Sequence, residues 1–298
     1  MVHVTGQPGV AVPAAVPDER PRPRRRRPAI WRWVVFAVLG TYFLVPLIAS
    51  FWFTIEDRRQ GGFTAEYYTG ILGADGFTSA FGLSVQLAVL TIVITLGLMI
   101  PTVLVVYLRL PQLRAAVELI TLLPLVLPPI VLVIGVGTVL RWGPNELAGT
   151  PLGDFLVGLQ DERLPWILVF VYVVLAMPFA YRSLDAGIRA VDLHTLVEAA
   201  RSLGASWPAV VGRVVVPVLR TAVLNAAFLT LALVLGEYTI ARLLLFKPFP
   251  VWVVEISGAE AQLSVSVSIL SLGLAWFLLI AVSSLGGRRG RDTTLRSL

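Results

Sequence analysis

The chain of 298 residues is 57% hydrophobic and only 14% charged, too few charges to cover the surface of a soluble protein of this length. Its mean hydropathy of +0.83 and its apolar runs of about 20 residues predict an all-α membrane protein. No cysteine is present, which excludes disulfides and thiol nucleophiles, and two histidines are too few for a His-based metal site. The net charge of +6 is expected to mark cytoplasmic loops, so no nucleic-acid partner is predicted.

The apolar runs predict six membrane spans. Residues 1–28 are rich in proline and arginine and predict a disordered cytoplasmic tail. The next run is too long for a cleaved export signal and predicts a first span. The six predicted spans cover residues 29–53, 77–108, 113–140, 165–181, 214–235 and 263–285. Residues 29–285 would thus form one transmembrane domain, followed by a cytoplasmic tail over 286–298.

The basic residues predict the orientation of these spans. An even number of spans puts both termini on one side, and 18 of the 24 basic residues fall on that side against 6 on the other. Because cytoplasmic loops carry the excess of arginine and lysine, both termini are predicted to be cytoplasmic. The segment 182–213, between spans four and five, is then a cytoplasmic loop.

The pattern within this loop predicts two short helices joined by a turn. Asp192 is a helix cap before a helix over 193–203, and Gly204 would end that helix in a left-handed conformation. Ser206 and Pro208 would begin a second helix that runs into span five. One apolar stripe is expected along the first helix, formed by Leu193, Leu196, Val197, Ala200 and Leu203.

We considered three functions for such a loop, of which two remain open. A DNA-binding helix–turn–helix is rejected, because the second helix would continue into a membrane span and could not lie free in a groove. The loop could rest as an amphipathic connector in the lipid interface, or it could be a docking surface for a partner protein. Periodicity does not separate the last two.

Particular residues of the loop carry a family resemblance. Glu198-Ala199-Ala200, three residues, Gly204, nine residues and then Val214-Val-Val-Pro217 resemble the EAA loop of binding-protein-dependent ABC importer permeases. The family pattern is EAA-x3-G-x9-I-x-L-P, and Val214 and Val216 stand in place of its Ile and Leu. The resemblance covers the six-span core, and it implies the fold of the ABC importer permease (MetI-like) type.

The resemblance also implies a division of labour. In that family the first loop helix is a coupling helix that sits in a cleft of a cytoplasmic ATPase. Glu198 would contact the ATPase or fix the loop, and Gly204 would provide the turn that aims the helix. The coupling residues implied are Glu198, Ala199, Ala200, Gly204 and Pro217. The implied setting is the plasma (cytoplasmic) membrane of a prokaryote.

The implied partners follow from what the sequence lacks. The only lysine, Lys247, is followed by proline rather than Ser or Thr, so there is no GxxxxGK[ST] loop to cradle phosphate. The chain is therefore predicted not to hydrolyse ATP by that chemistry. As a transport subunit of the resembled family it is expected not to be an enzyme and to have no cofactor, with ATP and Mg²⁺ bound by an ATP-binding subunit dimer. The other implied partners are a second permease subunit, paralogous or identical, an extracytoplasmic solute-binding protein and the lipid bilayer.

Two other classes of function fit the sequence less well. A secondary transporter or channel would need coupling-ion residues or an inverted repeat, and the two halves show no clear similarity by eye. An intramembrane enzyme would need a nucleophile with its base or metal ligands at membrane depth, but no span contains Cys, His or paired carboxylates.

Polar residues in the spans are candidates for a solute pathway, because burying them in lipid is costly. They are Gln86 on span two, Asn225 on span five and Glu237 at the outer end of span five. Asn225 could instead bond across a helix pair, which is the commoner case, and Glu237 could simply meet headgroup water. Glu118 is expected to pair locally with Arg114, four residues before it.

The solute class rests on resemblance alone. Residues 177–189 are similar to the group of permeases that serves polyamines, iron(III), sulfate, thiamine and phosphonates. Residues 236–239 and 263–268 look most like spermidine/putrescine-type permeases, and the acids predicted on the outer side are compatible with a cation. A polyamine is the leading expectation. Iron(III), sulfate or phosphonate are the alternatives within the same importer class.

Overall fold

The computed structural model describes residues 30–57 and 61–287, with side chains over 31–57 and 61–281. The predicted tail over 1–28 and residues 288–298 of the predicted C-terminal tail lie outside the described residues. The chain divides into two units, Met1–Ile48 and Ala49–Leu298. Of the first unit, the structure describes the start of one apolar helix.

The described residues form helices, with one isolated bridge between Glu56 and Phe63. In chain order the helices are α1 (Ile30–Ile55), α2 (Glu66–Thr69), α3 (Phe77–Leu108), α4 (Arg114–Val126), α5 (Pro129–Trp142), α6 (Pro151–Gly158), α7 (Trp166–Arg189), α8 (Leu193–Ser202), α9 (Trp207–Val210), α10 (Val216–Val218), α11 (Arg220–Gly236), α12 (Thr239–Leu243), α13 (Phe249–Ile256) and α14 (Ala261–Gly287). A π-helical segment over Val211–Val215 joins α9 to α10.

Four of the described helices, α1, α3, α7 and α14, are individually long and apolar enough to cross a membrane. Two bent pairs would each add a span if counted as one. They are Pro111–Val126 with Pro129–Trp142, bent by 97°, and Trp207–Val218 with Arg220–Gly236, bent by 83°. In the part that the structure describes, the candidate spans therefore number four to six, and the count of six stays a prediction.

Prolines cause the first break, which lies between α4 and α5. Leu127 is extended, at φ −78° and ψ 126°, because the residue before a proline is disfavoured in the α-helical region. Pro128 and Pro129 then supply no backbone N–H to continue the helix. By contrast, α7 continues through Pro178 to Arg189.

The second break was not predicted. The sequence indicates a helix that runs straight from the loop into span five, whereas Trp207–Val218 lies at 83° to α11. In an α-helix the ring of Pro217 would clash with the carbonyl of Arg213, and the π-helical turn lies directly before this proline. Leu219, at φ −90° and ψ 13°, then leaves helical geometry at the corner.

Helix α7 is the centre of the packing, with α3, α4 and α11 against it. Tyr172 and Leu168, at its predicted outer half, are fully buried with residues of α3 and α11. Leu184 and Ile188, at its other end, pack with α8 and with Val215 of the π-helical segment. The loop helices therefore share one core with the membrane-spanning helices.

Short helices that the sequence did not predict cover the predicted outer side. Helix α13 is fixed to α3 by Phe249, whose N–H donates to Ser84 Oγ at 2.8 Å. The Trp252 indole N–H donates to the Asp75 carbonyl at 2.9 Å. Glu255 pairs with Arg242 at 2.6 Å and with Lys247 at 3.1 Å.

Candidate coupling loop and solute pathway

Helix α8 begins at an acidic cap, as the sequence predicts. The Asp192 carboxylate accepts hydrogen bonds from the Thr195 hydroxyl at 2.7 Å and from the Thr195 backbone N–H at 3.3 Å. These hydrogen bonds, first that from the side chain, hold the pKa of Asp192 below its usual value. The cap fixes where α8 starts.

The apolar residues of α8 do not form the single stripe that was predicted. Leu193 and Val197 are buried in the core with α7, and Ala200 is half-buried. Leu196 is 41% exposed and Leu203 is 89% exposed, so this part of the prediction is wrong. The buried pair Leu193 and Val197 fixes α8 to the core. On the face of α8 that points away from the core, Leu196, Ala199 and Leu203 form an exposed apolar strip.

Gly204 ends α8 in the left-handed conformation, at φ +84°. Its N–H donates to the Arg201 carbonyl at 2.9 Å, and the Ala205 N–H donates to the Ala200 carbonyl at 3.1 Å. This pair of bonds is the Schellman motif, in which a glycine avoids the strain that a Cβ would meet. The predicted turn is confirmed.

Glu198 projects away from the core. Its side chain is 68% exposed, and its nearest ionic partner is His194 on the same helix, with Nδ1 and Oε1 separated by 3.4 Å. Its carboxylate makes no hydrogen bond to another described element of the chain. Of its two expected roles, fixing the loop has only this contact with His194 among the described residues.

Trp207, which the sequence analysis did not single out, joins the loop to the end of α3. The guanidinium carbon of Arg109 lies 5.0 Å from the centroid of its ring, and that of Arg201 lies 5.2 Å from it. Arg109 caps α3, whereas Arg201 is in the last turn of α8. A tryptophan between Ser206 and Pro208 was the one sign in the sequence of a packing role here. The sequence does not reveal its partner Arg109, which is 98 residues away.

Asn225 bonds across a helix pair. Its amide N donates to Ser183 Oγ at 3.1 Å, and that hydroxyl donates to the Ala222 carbonyl at 2.9 Å. The other side of Asn225 is open to a cavity of about 700 Å³ between α7 and α11, which Leu279 of α14 also lines. The hydrogen bond to Ser183 therefore supports a helix–helix role for Asn225, and its side chain also faces the cavity.

Glu237 joins two helices at the predicted outer side. Its carboxylate accepts from the backbone N–H of Ile240 at 2.7 Å and of Ala241 at 3.2 Å, which caps α12. It also accepts from the buried Tyr172 hydroxyl at 3.1 Å. Neither sequence interpretation, a solute ligand or a headgroup contact, anticipated this capping role.

The three pathway candidates do not converge on one site. Asn225 and Glu237 are 12 residues apart, which is about 18 Å along a helix axis. Gln86 is exposed on α3 and does not line the cavity beside Asn225. Within residues 30–57 and 61–287, no three His, Asp or Glu side chains are grouped as a metal site would require.

One predicted ion pair is wrong. Arg114 pairs with Asp185 of α7 at 2.7 Å, not with Glu118 on its own helix. Asp185 also pairs with Arg189 at 2.9 Å. The Asp185 carboxylate reaches Arg114 because α4 packs against α7 at this end, and it reaches Arg189 because that residue lies four positions later on α7.

Known proteins similar to this chain are transport permeases. No protein-family model matches it. It is 26% identical to a probable ABC transporter permease protein of Sinorhizobium fredii over 255 residues, which are 82% of this chain and 43% of that protein. It is 30% identical to a probable molybdenum ABC transporter permease protein of Haloferax volcanii over 175 residues, 56% of this chain and 61% of that protein.

A solved structure shares the fold. It is that of a bacterial alginate ABC transporter in complex with a periplasmic protein bound to an alginate pentasaccharide. The TM-score is 0.58 at 13% sequence identity, over 87% of this chain and 94% of the matched one. At that identity the likeness shows the fold alone.

The chain matches only part of the length of each relative. The chain spans less than half of the first relative and about three fifths of the second. The relatives are permeases, transport subunits rather than enzymes, in agreement with the prediction that this chain is not an enzyme. Together with the long apolar helices, they indicate a multi-pass membrane protein.

Proposed function

We propose that this chain is the transmembrane permease subunit of an ATP-driven importer. It forms half of a solute pathway with a second permease subunit, paralogous or identical, and receives solute from an extracytoplasmic binding protein. A separate ATPase dimer drives it through the loop 182–213. The similarity to proteins named as ABC transporter permeases supports this proposal, as does the shared fold.

The observation that carries the proposal is the exposed strip on α8. Leu203 directly follows the last residue of α8 and is 89% exposed, and a partner would cover such apolar surface favourably. Leu193 and Val197 fix the same helix to the core of α3, α7 and α11. A partner that moves α8 would therefore move the membrane-spanning helices with it.

Association with the ATPase tests the role of the strip. Leu203→Asp places a charge in the proposed contact and should reduce co-purification of the ATPase about tenfold or more, as expected when an apolar contact residue is replaced by a charge. Leu72→Asp is the matched control, because Leu72 is 76% exposed but lies on the predicted outer side. Both variants should keep the wild-type unfolding temperature. Retention of the ATPase by Leu203→Asp would contradict the proposal.

A transport measurement tests the motif residues. In the double variant Glu198→Ala and Gly204→Ala, the exposed carboxylate is lost and the turn is strained at φ +84°. ATP-driven uptake in reconstituted vesicles should fall with it, while the chain still inserts. Unchanged uptake and unchanged ATPase association would reject the assignment. Uptake that survives without ATP but needs a proton gradient would favour a secondary transporter.

For the solute, a polyamine of the spermidine/putrescine type is our leading proposal. A cavity of about 930 Å³ on the predicted outer side includes Asp57, Glu66, Asp75 and Glu260 in its lining, which favours a cation over an anion. The name of the Haloferax relative makes a molybdenum solute the nearest rival, beside iron(III), sulfate and phosphonate. Calorimetry of the purified binding protein with spermidine, putrescine, molybdate, iron(III), sulfate and phosphonate decides among them.

A further inference from the structure

A narrow apolar groove lies where the end of α3 meets the loop. Pro101, Leu104, Val105 and Leu108 form one wall, and Trp207 and Val211 form the other. Its volume is about 270 Å³, and Arg109 contributes the one charged side chain of its lining. A helix about 10 Å across would not fit such a space, but an extended hydrocarbon chain would.

Two guanidiniums stand beside this groove. Arg109 and Arg201 both lie against the Trp207 ring, at 5.0 and 5.2 Å from its centroid. A guanidinium stacked on a ring keeps its in-plane N–H groups free to bind an acceptor, and of these Arg201 uses one on the Ala205 carbonyl. Among the described residues, neither forms an ion pair with a carboxylate. Positive charge is therefore left uncompensated beside an apolar groove.

The position of the groove suits a lipid. It lies at the end of α3 that the sequence predicts to be cytoplasmic, next to a tryptophan, and tryptophan is enriched at the membrane–water interface. The cytoplasmic leaflet carries anionic headgroups, which basic pockets between membrane helices bind. A soluble anion has no apolar part that could contact the walls of the groove.

We propose that this groove binds one anionic phospholipid of the cytoplasmic leaflet. One acyl chain lies along Leu104, Val105 and Leu108, and the phosphate accepts hydrogen bonds from Arg109 and Arg201. The lipid would thereby connect the end of α3 to the last turn of α8. This inference requires that α3 spans the membrane with its Arg109 end on the cytoplasmic side, and it does not depend on an ATPase.

Native mass spectrometry of the delipidated full chain in detergent tests the proposal. Dioleoyl phosphatidylglycerol and dioleoyl phosphatidylcholine are titrated separately, with inorganic phosphate as a third arm. The wild type should retain one phosphatidylglycerol in preference to phosphatidylcholine. Removing both guanidiniums, in Arg109→Gln with Arg201→Gln, should weaken phosphatidylglycerol retention by about fivefold for each, without affecting phosphatidylcholine.

Two further variants separate the groove from general charge. Val105→Trp fills the groove from a half-exposed position and should reduce retention of both lipids while both arginines remain. Arg213→Gln removes an exposed basic residue of the same loop that does not line the groove, and it should bind as the wild type does.

Several outcomes would overturn the proposal. Equal retention of the two lipids by the wild type would exclude headgroup selectivity, and an effect of Arg213→Gln as large as that of the double variant would indicate nonspecific attraction. Displacement of phosphatidylglycerol by inorganic phosphate would indicate an anion site without an acyl chain. A wild-type dimer that excludes lipid would indicate that a second copy covers the groove.

Discussion

Gly187 of α7 lies so close to α11 that a methyl group on it would be 2.5 Å from the Cβ of Ala222. Ser183, one turn earlier on α7, donates its hydroxyl to the Ala222 carbonyl at 2.9 Å. Small residues four apart on one membrane helix allow a neighbouring backbone to approach in this way. The contact fixes α11 against α7 directly after the 83° corner, where the loop joins the membrane domain.

Gly187→Ala is therefore expected to destabilise the protein. The added methyl would overlap Ala222, and relieving the overlap separates two packed helices, a change that typically costs about 1–3 kcal/mol. Thermal unfolding in detergent should show a lower midpoint. Gly97→Ala in α3 is the matched control, because a methyl there meets no atom within 4 Å and should be neutral or slightly stabilising. Equal midpoints for the two variants would show that the contact is not tight.

A double-mutant cycle on Asn225 and Ser183 separates the two interpretations of Asn225. The 3.1 Å bond between their side chains should give a coupling free energy of about 0.6 kcal/mol, the average for such bonds in membrane proteins. Unfolding of Asn225→Ala, Ser183→Ala and the double variant measures it. Strict additivity, together with a changed apparent affinity for solute in Asn225→Ala, would instead assign Asn225 to the pathway.

Local features of this chain could be read from its sequence. The predicted span 77–108 has the bounds of α3, and the cap at Asp192 and the turn at Gly204 lie where predicted. Each depends on a residue and its neighbours within one or two helical turns. Hydropathy, backbone geometry and capping preferences are sufficient to predict features that depend on so few neighbouring residues.

Features that depend on tertiary packing could not be read in this way. Arg114 was expected to bind Glu118 four residues away, but its partner Asp185 is 71 residues away on a helix that packs beside it. The predicted stripe of the first loop helix has five apolar positions, the last of which is Leu203. Only the packing against α7 decides which of the five are buried, and Leu203 is not. Likewise, the role of Glu237 depends on α12, a five-residue helix with no apolar periodicity to reveal it.

Glu237→Gln should lower stability more than it lowers solute affinity. The neutral amide weakens bonds from two backbone N–H groups and from the Tyr172 hydroxyl, and hydrogen bonds to a charged group contribute about 1.5–3 kcal/mol. Glu260→Gln, at an exposed carboxylate of the outer cavity, is the control and should leave the unfolding midpoint unchanged. A normal midpoint in Glu237→Gln with impaired uptake would favour a solute-binding role.

The start of α8 should be sensitive to acid. The folded-state pKa of Asp192 is lowered by bonds from Thr195, so its stabilisation is present above the unfolded pKa of about 3.9. It is lost as the pH falls through the lower folded value. Hydrogen exchange of the Thr195 amide, corrected for the intrinsic rate, should lose protection below about pH 4. Asp192→Asn also caps a helix but does not titrate, so its protection should not change over this range.

Two threonines of α3 are expected to limit stability. Thr91 and Thr95, one turn apart, are fully buried, and neither hydroxyl has a hydrogen-bond partner among the described residues. A buried hydroxyl without a partner costs about 1–3 kcal/mol, and valine has nearly the same shape. Thr91→Val and Thr95→Val should each raise the free energy of unfolding in detergent.

Thr230→Val provides the comparison for these two variants. Thr230 is equally buried on α11, but its hydroxyl donates to the Ala226 carbonyl at 2.9 Å, so this valine variant should gain nothing. If Thr91→Val and Thr95→Val are instead destabilising, their hydroxyls have partners in the membrane, such as a buried water. The interface of α3 with α7 and α11 would then be hydrated, and these threonines would become candidates for the solute pathway.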